Sequence, residues 1–367
     1  MNNQKNILQV VFKMNRGGAE TFLMNILRQI DVDKYQFYFL CHGDNKFDYQ
    51  DEIEKLGGKI IRIRYTKNIF RLIKELRQVI KAYKINIIHS HIQLASVYSI
   101  IAARLEKVPQ RIVHSHSAAA GKTGGLVYLV YEALAKKIIG LLATDLVACG
   151  EDAGKYLFGK KQFRIINNGI DLTNFMFDQQ KREVFRKKNT LPRDALIIGM
   201  AARLETVKNH QFAIEVFEKY RQLNPSARLV FAGQGSLRKE LEQLVTIKDL
   251  TKEVIFLGMV TNMSDLYSAL DLLIMPSFIE GMPVSLIEAQ ANSLPCLVSN
   301  KVDKKSKLGQ YVDFLPIELS SVDQWVNAIE ERTSMKRHHD AESFAKIAKS
   351  GYDIGDTVKE IITLYER

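Results

Sequence analysis

Short apolar runs alternate with longer amphipathic stretches along the chain, and the whole pattern occurs twice. In the first half, Ile7–Phe12, Tyr35–Leu40, Lys59–Ile63, Ile85–His89, Arg111–His114, Leu146–Cys149 and Arg164–Ile166 read as strands. Between them, Glu20–Gln29, Arg71–Tyr83, Ala95–Leu105 and Leu126–Leu142 carry helical periodicity. A charged, helix-poor stretch from Asp178 to Asp194 then links to a second series. Its strands are Leu196–Ala201, Arg228–Ala232, Val254–Leu257, Leu272–Met275 and Pro295–Val298. Its helices are His210–Gln222, Leu237–Thr246, Met263–Ala269 and Val284–Ala291, and Asp356–Tyr365 forms a last helix. Strands alternating with helices predict parallel, doubly wound sheets. The expectation is an α/β protein with two Rossmann-like domains, 1–187 and 188–351, facing across a cleft. A length of 367 residues suits two domains. The stretch after Val302 (Asp303-Lys304-Lys305-Ser306-Lys307) gives no interpretable pattern.

Composition narrows the class. No run approaches the 18 or so apolar residues of a transmembrane helix, and Ile7–Phe12 is too short for a signal peptide and is interrupted by Gln9. Cys41, Cys149 and Cys296 are far apart and form no metal or redox motif, which suits buried thiols in a cytoplasmic protein. The net charge of +11 is uneven: residues 1–187 carry +13 and the remainder −2. Between Lys59 and Lys84, nine basic residues face one acid, Glu75. Within that segment, Ile69, Leu72, Ile73, Leu76, Val79, Ile80 and Tyr83 form an apolar face beside Arg71, Lys74, Arg77 and Lys81. Such a helix suits an anionic membrane surface or a diphosphate, and equally a solvated face of a sandwich domain. Nucleic acid is disfavoured, because no aromatic-interleaved basic groove or helix-turn-helix pattern is present.

Chemistry concentrates in Pro276-Ser277-Phe278-Ile279-Glu280-Gly281-Met282-Pro283-Val284-Ser285-Leu286-Ile287-Glu288-Ala289. Glu280 falls in the loop after a buried strand, and Glu288 in the second turn of the next helix, with Pro283 suited to its first turn. Eight helical residues advance roughly 800°, about 80° past two turns, so both carboxylates can face one cleft. Between them lies a helix N-terminus, whose free N–H groups and positive pole suit phosphate. Carboxylates for hydroxyls beside a place for phosphate match a nucleotide-sugar. The segment resembles the E-x7-E region of retaining glycosyltransferases of family 4, which have the GT-B fold. The resemblance implies that Glu280 contacts donor-sugar hydroxyls, that Glu288 binds the ribose, and that Gly281, Met282 and Pro283 approach the sugar and diphosphate.

Other motifs extend the likeness from Arg16 to Ser299. Asn15-Arg16-Gly17-Gly18-Ala19-Glu20 opens the first helix, and tandem glycines admit a ligand close to the backbone; no G-x-G-x-x-G is present, which disfavours NAD. The loop is similar to the family's Gly-Gly-Ala-Glu loop, which lies across the cleft from the donor phosphate. In Ala202-Arg203-Leu204 followed by Lys208, a guanidinium fork and an ammonium point charge can neutralise two adjacent phosphates. The family has Gly-Arg-Leu there, so Ala202 is a small departure. Gly233 and Gly258 end two further strands where the family has a Gly-x-Gly turn and a strand end near the nucleobase. Asn167-Asn168-Gly169-Ile170-Asp171 matches its turn near the interdomain hinge.

His89-Ser90-His91 and His114-Ser115-His116 both follow apolar strands, and His at i and i+2 of an extended segment share a face. Four imidazoles admit a rival reading, a metal-dependent hydrolase, although no carboxylate accompanies either triplet. The resemblance instead assigns His116 to the donor sugar, with His114 as second choice. Asp31-Val32-Asp33 reads as a solvated turn on the side opposite the strand C-termini. No metal is expected, its role being taken by Arg203, Lys208 and the helix N-terminus. The implied activity is transfer of a hexose-type sugar from a UDP-sugar to a saccharide or undecaprenyl-diphosphate-linked acceptor. The likeness is to exopolysaccharide and capsule enzymes working at the inner face of the cell membrane. It also implies that the last helix, about 352–367, returns to the first domain. A non-catalytic nucleotide-sugar-binding protein is the third reading.

Overall fold

The structure is a computed structural model and describes residues 4–367 except 65, 67, 118–124, 335, 336, 338 and 339. The chain divides into two compact units, Met1–Ile170 with Asp353–Arg367, and Asp171–Tyr352.

The first unit is built on β1 (Lys5–Val10), β2 (Tyr35–His42), β3 (Lys59–Ile63), β4 (Ile87–Ser90), β5 (Gln110–Ser115), β6 (Asp145–Ala148) and β7 (Arg164–Ile165). All pair in parallel, in the order β3-β2-β1-β4-β5-β6-β7. β2 is buried along nearly its whole length because helices cover both faces of the sheet. One face packs Phe22, Leu23 and Ile26 together with Ile354, Ile361 and Leu364 of the last helix; the other packs Leu76, Ile80, Ile100 and Ile139. Because β2 and β3 extend one way and β4 to β7 the other, the strand order reverses between β1 and β4. Loops at the carboxyl ends of those strands border a crevice of the kind in which open α/β sheets bind ligands.

The second unit repeats the plan with β8 (Ile197–Ala201), β9 (Arg228–Ala232), β10 (Val254–Gly258), β11 (Leu272–Met275), β12 (Cys296–Ser299) and β13 (Val312–Leu315). The order is β10-β9-β8-β11-β12-β13, again all parallel, with the reversal between β8 and β11.

The stretch Asp178–Asp194 is not a helix-poor link. Gln179–Lys188 is a helix whose N-cap, Asp178, accepts from the backbone N–H groups of Gln180 and Lys181. Arg182 and Arg186 tie it to Asp271 at 2.6 and 2.7 Å, ahead of β11. This helix therefore sits in the second unit, and the division falls at 170/171 rather than 187/188. A charged face misled the periodicity reading because its charges are spent on a partner about 85 residues away. No helix among the described residues is long and apolar enough to cross a membrane.

Candidate functional site

In the second unit, the loops leaving β8, β9, β11 and β12 interlock at the carboxyl edge of the sheet. Ala202 N–H donates to Ala232 O (3.0 Å) and Leu204 N–H to Gln234 O (3.0 Å), binding the β8 loop to the β9 loop. Gly233 N–H reaches Gly258 O at the end of β10 (2.8 Å). Phe278 N–H donates to Val207 O (2.9 Å), which carries the β11 loop over to the β8 loop across the reversal point. Glu280 forms an isolated bridge with Val302, and Asp303 N–H donates to its carbonyl (3.1 Å).

This network brings Lys208 and Glu280 into a direct ion pair, both side chains largely buried. Ser277 Oγ also donates to Glu280 at 3.4 Å. Arg203 occupies the same β8 loop; its side chain is exposed, with no hydrogen-bond partner among the described residues. The helix Val284–Ala291 starts four residues after Glu280, with Pro283 as its N-cap rather than in its first turn. Its first two N–H groups have no intrahelical partner, while Leu286 N–H donates to Pro283 O at 3.0 Å. Gly281 is exposed and Met282 half-buried in the turn leading to it.

Glu288 is buried, only 8 % exposed, and accepts from the Tyr267 hydroxyl at 2.8 Å. Burial pushes its carboxyl up to about 7, against the opposing pull of that hydrogen bond. Neither acid of the E-x7-E segment is thus a solvated surface group. Tyr267, on the helix Met263–Ala269, and Ser277 escaped the sequence reading. Tyr267 sits on an ordinary helical face and gives no motif, whereas Ser277 adjoins the strand end and could have been included on placement.

The Glu288 shift has a testable sign. The folded chain holds this proton more tightly than the unfolded chain, so stability falls as pH rises from about 4.5 to about 7 and stays reduced above. Glu288→Gln removes that cost. It is expected to stabilise the protein at pH 8 by up to roughly 3 kcal/mol, with the gain fading toward pH 4. Urea unfolding of both proteins at the two pH values checks this; equal shifts at both would refute a buried, proton-loving carboxyl.

In the first unit, Gly17 is the N-cap of the helix Gly18–Leu27, so the tandem glycines sit at a helix N-terminus beyond β1. The histidine triplets end β4 and β5, on the far side of the reversal point, and their rings converge. His91 Nδ1 meets His116 Nε2 at 2.8 Å, and the His89–His91 and His114–His116 ring centres are 4.2 and 4.1 Å apart. Burial holds His89 and His116 down at about 3, and His91 and His114 well below the usual range, so all four are neutral.

Comparison with known proteins gives a consistent result. A model described as "Glycosyltransferase Family 4" matches residues 16–174, and one described as "Glycosyl transferases group 1" matches residues 181–350. A Bacillus subtilis protein named as glycosyltransferase EpsF is 34 % identical over 99 % of this chain and 96 % of its own. The Escherichia coli UDP-Gal:alpha-D-GlcNAc-diphosphoundecaprenol alpha-1,3-galactosyltransferase is 30 % identical over 72 % of each chain. Among solved structures, Anabaena HepE in complex with UDP superposes with a TM-score of 0.79 at 17 % identity, covering 99 % of this chain and all of that one, a likeness of fold. Both models and both relatives are glycosyltransferases, which leaves the metal-dependent hydrolase reading of the histidines without support.

Proposed function

The chain belongs to the family 4 glycosyltransferases, of GT-B fold, and from that premise we propose a retaining enzyme. It moves a hexose-type sugar from a UDP-sugar to a saccharide carried on undecaprenyl diphosphate, in the synthesis of cell-surface polysaccharide. The observation that carries this reading is the Lys208–Glu280 pair at the reversal point between β8 and β11, beside a helix N-terminus. The E. coli relative, whose name specifies a UDP-sugar donor and a diphosphoundecaprenol-linked acceptor, supports the substrate pair.

In this reading the donor diphosphate lies at the N-terminus of Val284–Ala291, approached by the backbone of Gly281 and by Met282 and Pro283. Arg203 and Lys208 stabilise the charge that develops on departing UDP, a role filled in other transferases by a divalent ion. Glu280 accepts from sugar hydroxyls and Glu288 from the ribose, while the turns at Gly233 and Gly258 admit the nucleoside. In the first unit, Gly17 and Gly18 serve the phosphates and His116 the sugar. Retention follows from attack on the face that the leaving group vacates. The anomeric carbon–phosphate oxygen bond breaks, the acceptor oxygen bonds to the same face, and a diphosphate oxygen takes the acceptor proton.

The test is UDP release with a panel of UDP-hexoses, together with the anomeric configuration of the product. Glu280→Ala is expected to abolish turnover while sparing UDP binding. An inverted product, or full turnover by that variant, would overturn the reading.

The acceptor calls for contact with a membrane surface, and exposed apolar residues of the first unit support that reading. On the helix Ile69–Ala82, Phe70 is 88 % exposed and Lys74 is exposed. Arg77 and Lys81, however, are held by Glu106 at 2.5 and 3.3 Å, and Arg71 by Glu75 at 2.9 Å, so much of the basic charge is already paired. Lys67 lies outside the described residues. The helix Leu126–Leu142 adds exposed Leu126, Val127, Val130 and Leu134. The protein is expected to sediment with vesicles containing phosphatidylglycerol and not with phosphatidylcholine alone, the binding falling at high salt. Equal behaviour with both lipids would remove the electrostatic part of the proposal.

A further inference from the structure

The converging imidazoles of the first unit are only partly accounted for by hydrogen bonds, and the bonds they do make run in one direction. The Gln9 amide donates to the Tyr365 hydroxyl (2.9 Å), so its carbonyl accepts from His91 Nε2 (2.9 Å). His91 Nδ1 then accepts from His116 Nε2 (2.8 Å). Tyr365, on the last helix, passes its proton toward His89 Nδ1 (2.9 Å). That leaves His89 Nε2, His116 Nδ1 and both nitrogens of His114 buried without a partner. A neutral imidazole carries one N–H, and a buried polar group left unsatisfied costs roughly 1–3 kcal/mol. Of these, His89 Nε2 and one nitrogen of His114 can be answered by a single bound ion.

We propose that His89, His91 and His114 form a site for one late first-row divalent cation of the zinc class. One ring nitrogen from each lies within 4.8 Å of the others. Small ring rotations bring them to the roughly 3.3 Å separations that a tetrahedral ion with bonds of about 2.0–2.1 Å requires. The outer partners are in place. When His89 ligates through Nε2, its proton moves to Nδ1 and the bond with the Tyr365 oxygen reverses; when His91 ligates through Nδ1, it gives up the bond from His116 Nε2 and its Nε2–H keeps Gln9 Oε1. Such partners fix the tautomer and aim of metal-bound histidines. An all-imidazole set favours zinc, cobalt, nickel or copper over magnesium or calcium, which take oxygen ligands. His116, half-buried, is the least enclosed of the four rings and marks the side from which solvent completes the coordination. The ion ties β4 and β5 to the last helix through Tyr365 and takes no part in the sugar transfer.

The experiment uses the full chain, stripped by chelator and titrated with Co²⁺. One equivalent is expected to bind, with the intense visible bands of a four-coordinate ion, displaced by Zn²⁺. His114→Gln and His89→Gln, each checked for folding by circular dichroism, should weaken Co²⁺ by at least about 100-fold. His338→Ala/His339→Ala, which removes two histidines adjacent in the sequence, should leave the spectrum unchanged, which excludes them as ligands. X-ray absorption of the zinc-loaded wild type serves if the variants fail to fold, and three imidazoles in its first shell are expected. Substoichiometric binding, fewer than three imidazoles, or a spectrum indifferent to His114→Gln overturns the proposal.

Discussion

Lys208→Ala is expected to lower turnover at saturating donor by roughly 10²–10³-fold, with a smaller loss in UDP affinity. Lys208 ends the short turn Thr206–Lys208, and its ammonium lies against Glu280 with 20 % of the side chain exposed. In the resting chain the two charges compensate each other. Under the proposed function, donor binding turns this cation to the phosphates and frees the carboxylate for the sugar hydroxyls. Positive charge matters most as the diphosphate departs, so the loss should concentrate in kcat. A second effect adds to it: without Lys208, Glu280 keeps only the Ser277 hydroxyl at 3.4 Å and stays mostly buried. The pair should therefore be strongly non-additive. Lys208→Ala/Glu280→Ala should be little worse than the poorer single variant. Steady-state turnover and calorimetric UDP binding on the four proteins decide the matter. Turnover within threefold of wild type would remove Lys208 from the chemistry.

The layout of this site was legible to unequal depths. The doubly wound sheets were readable because their strands are buried on both faces and announce themselves as apolar runs, and because β8 and β11 end in loops dense with chemistry. The strand β13 was not readable: four residues, three of them half-buried, with Asp313 turned outward to Arg332 at 2.6 Å. Glu280 and Glu288 could be singled out by spacing and context. That Glu280 pairs with a residue 72 positions away and that Glu288 is held by the Tyr267 hydroxyl are products of packing, which no local pattern encodes. The histidine triplets show the same split. Their i, i+2 spacing promised a shared face, while their union comes from β4 lying beside β5, and their partner Tyr365 comes from the far end of the chain. Gln9 alone gave a warning, as a polar residue set among the apolar Ile7, Leu8 and Val10.

The same interlocking makes Gly235→Ala a severely damaging small change in the second unit. A Cβ at Gly235 would lie 2.3 Å from Leu204 O and 2.7 Å from Leu204 N. At Gly233, where φ is +154°, it would lie 2.0 Å from Ala202 O. These are backbone atoms and cannot rotate away as a side chain can. They flank Arg203, and the loop they belong to is fixed by the Leu204 N–H to Gln234 bond and by Leu237 N–H donating to Leu204 O at 3.1 Å. One methyl group must therefore push the whole Arg203 loop off the end of β9. The expected cost is roughly 4 kcal/mol of stability. In whatever folds, the shift of Arg203 by about an ångström should cost about 10²-fold in turnover. Gly281→Ala supplies the contrast, since a Cβ there meets nothing within 4 Å and the backbone is not left-handed. Its stability should stay within about 0.5 kcal/mol of wild type. Thermal unfolding of the two variants side by side separates tight backbone approach from mere sequence motif, and a Gly235→Ala protein as stable as Gly281→Ala would show that the β8 and β9 loops are not locked together.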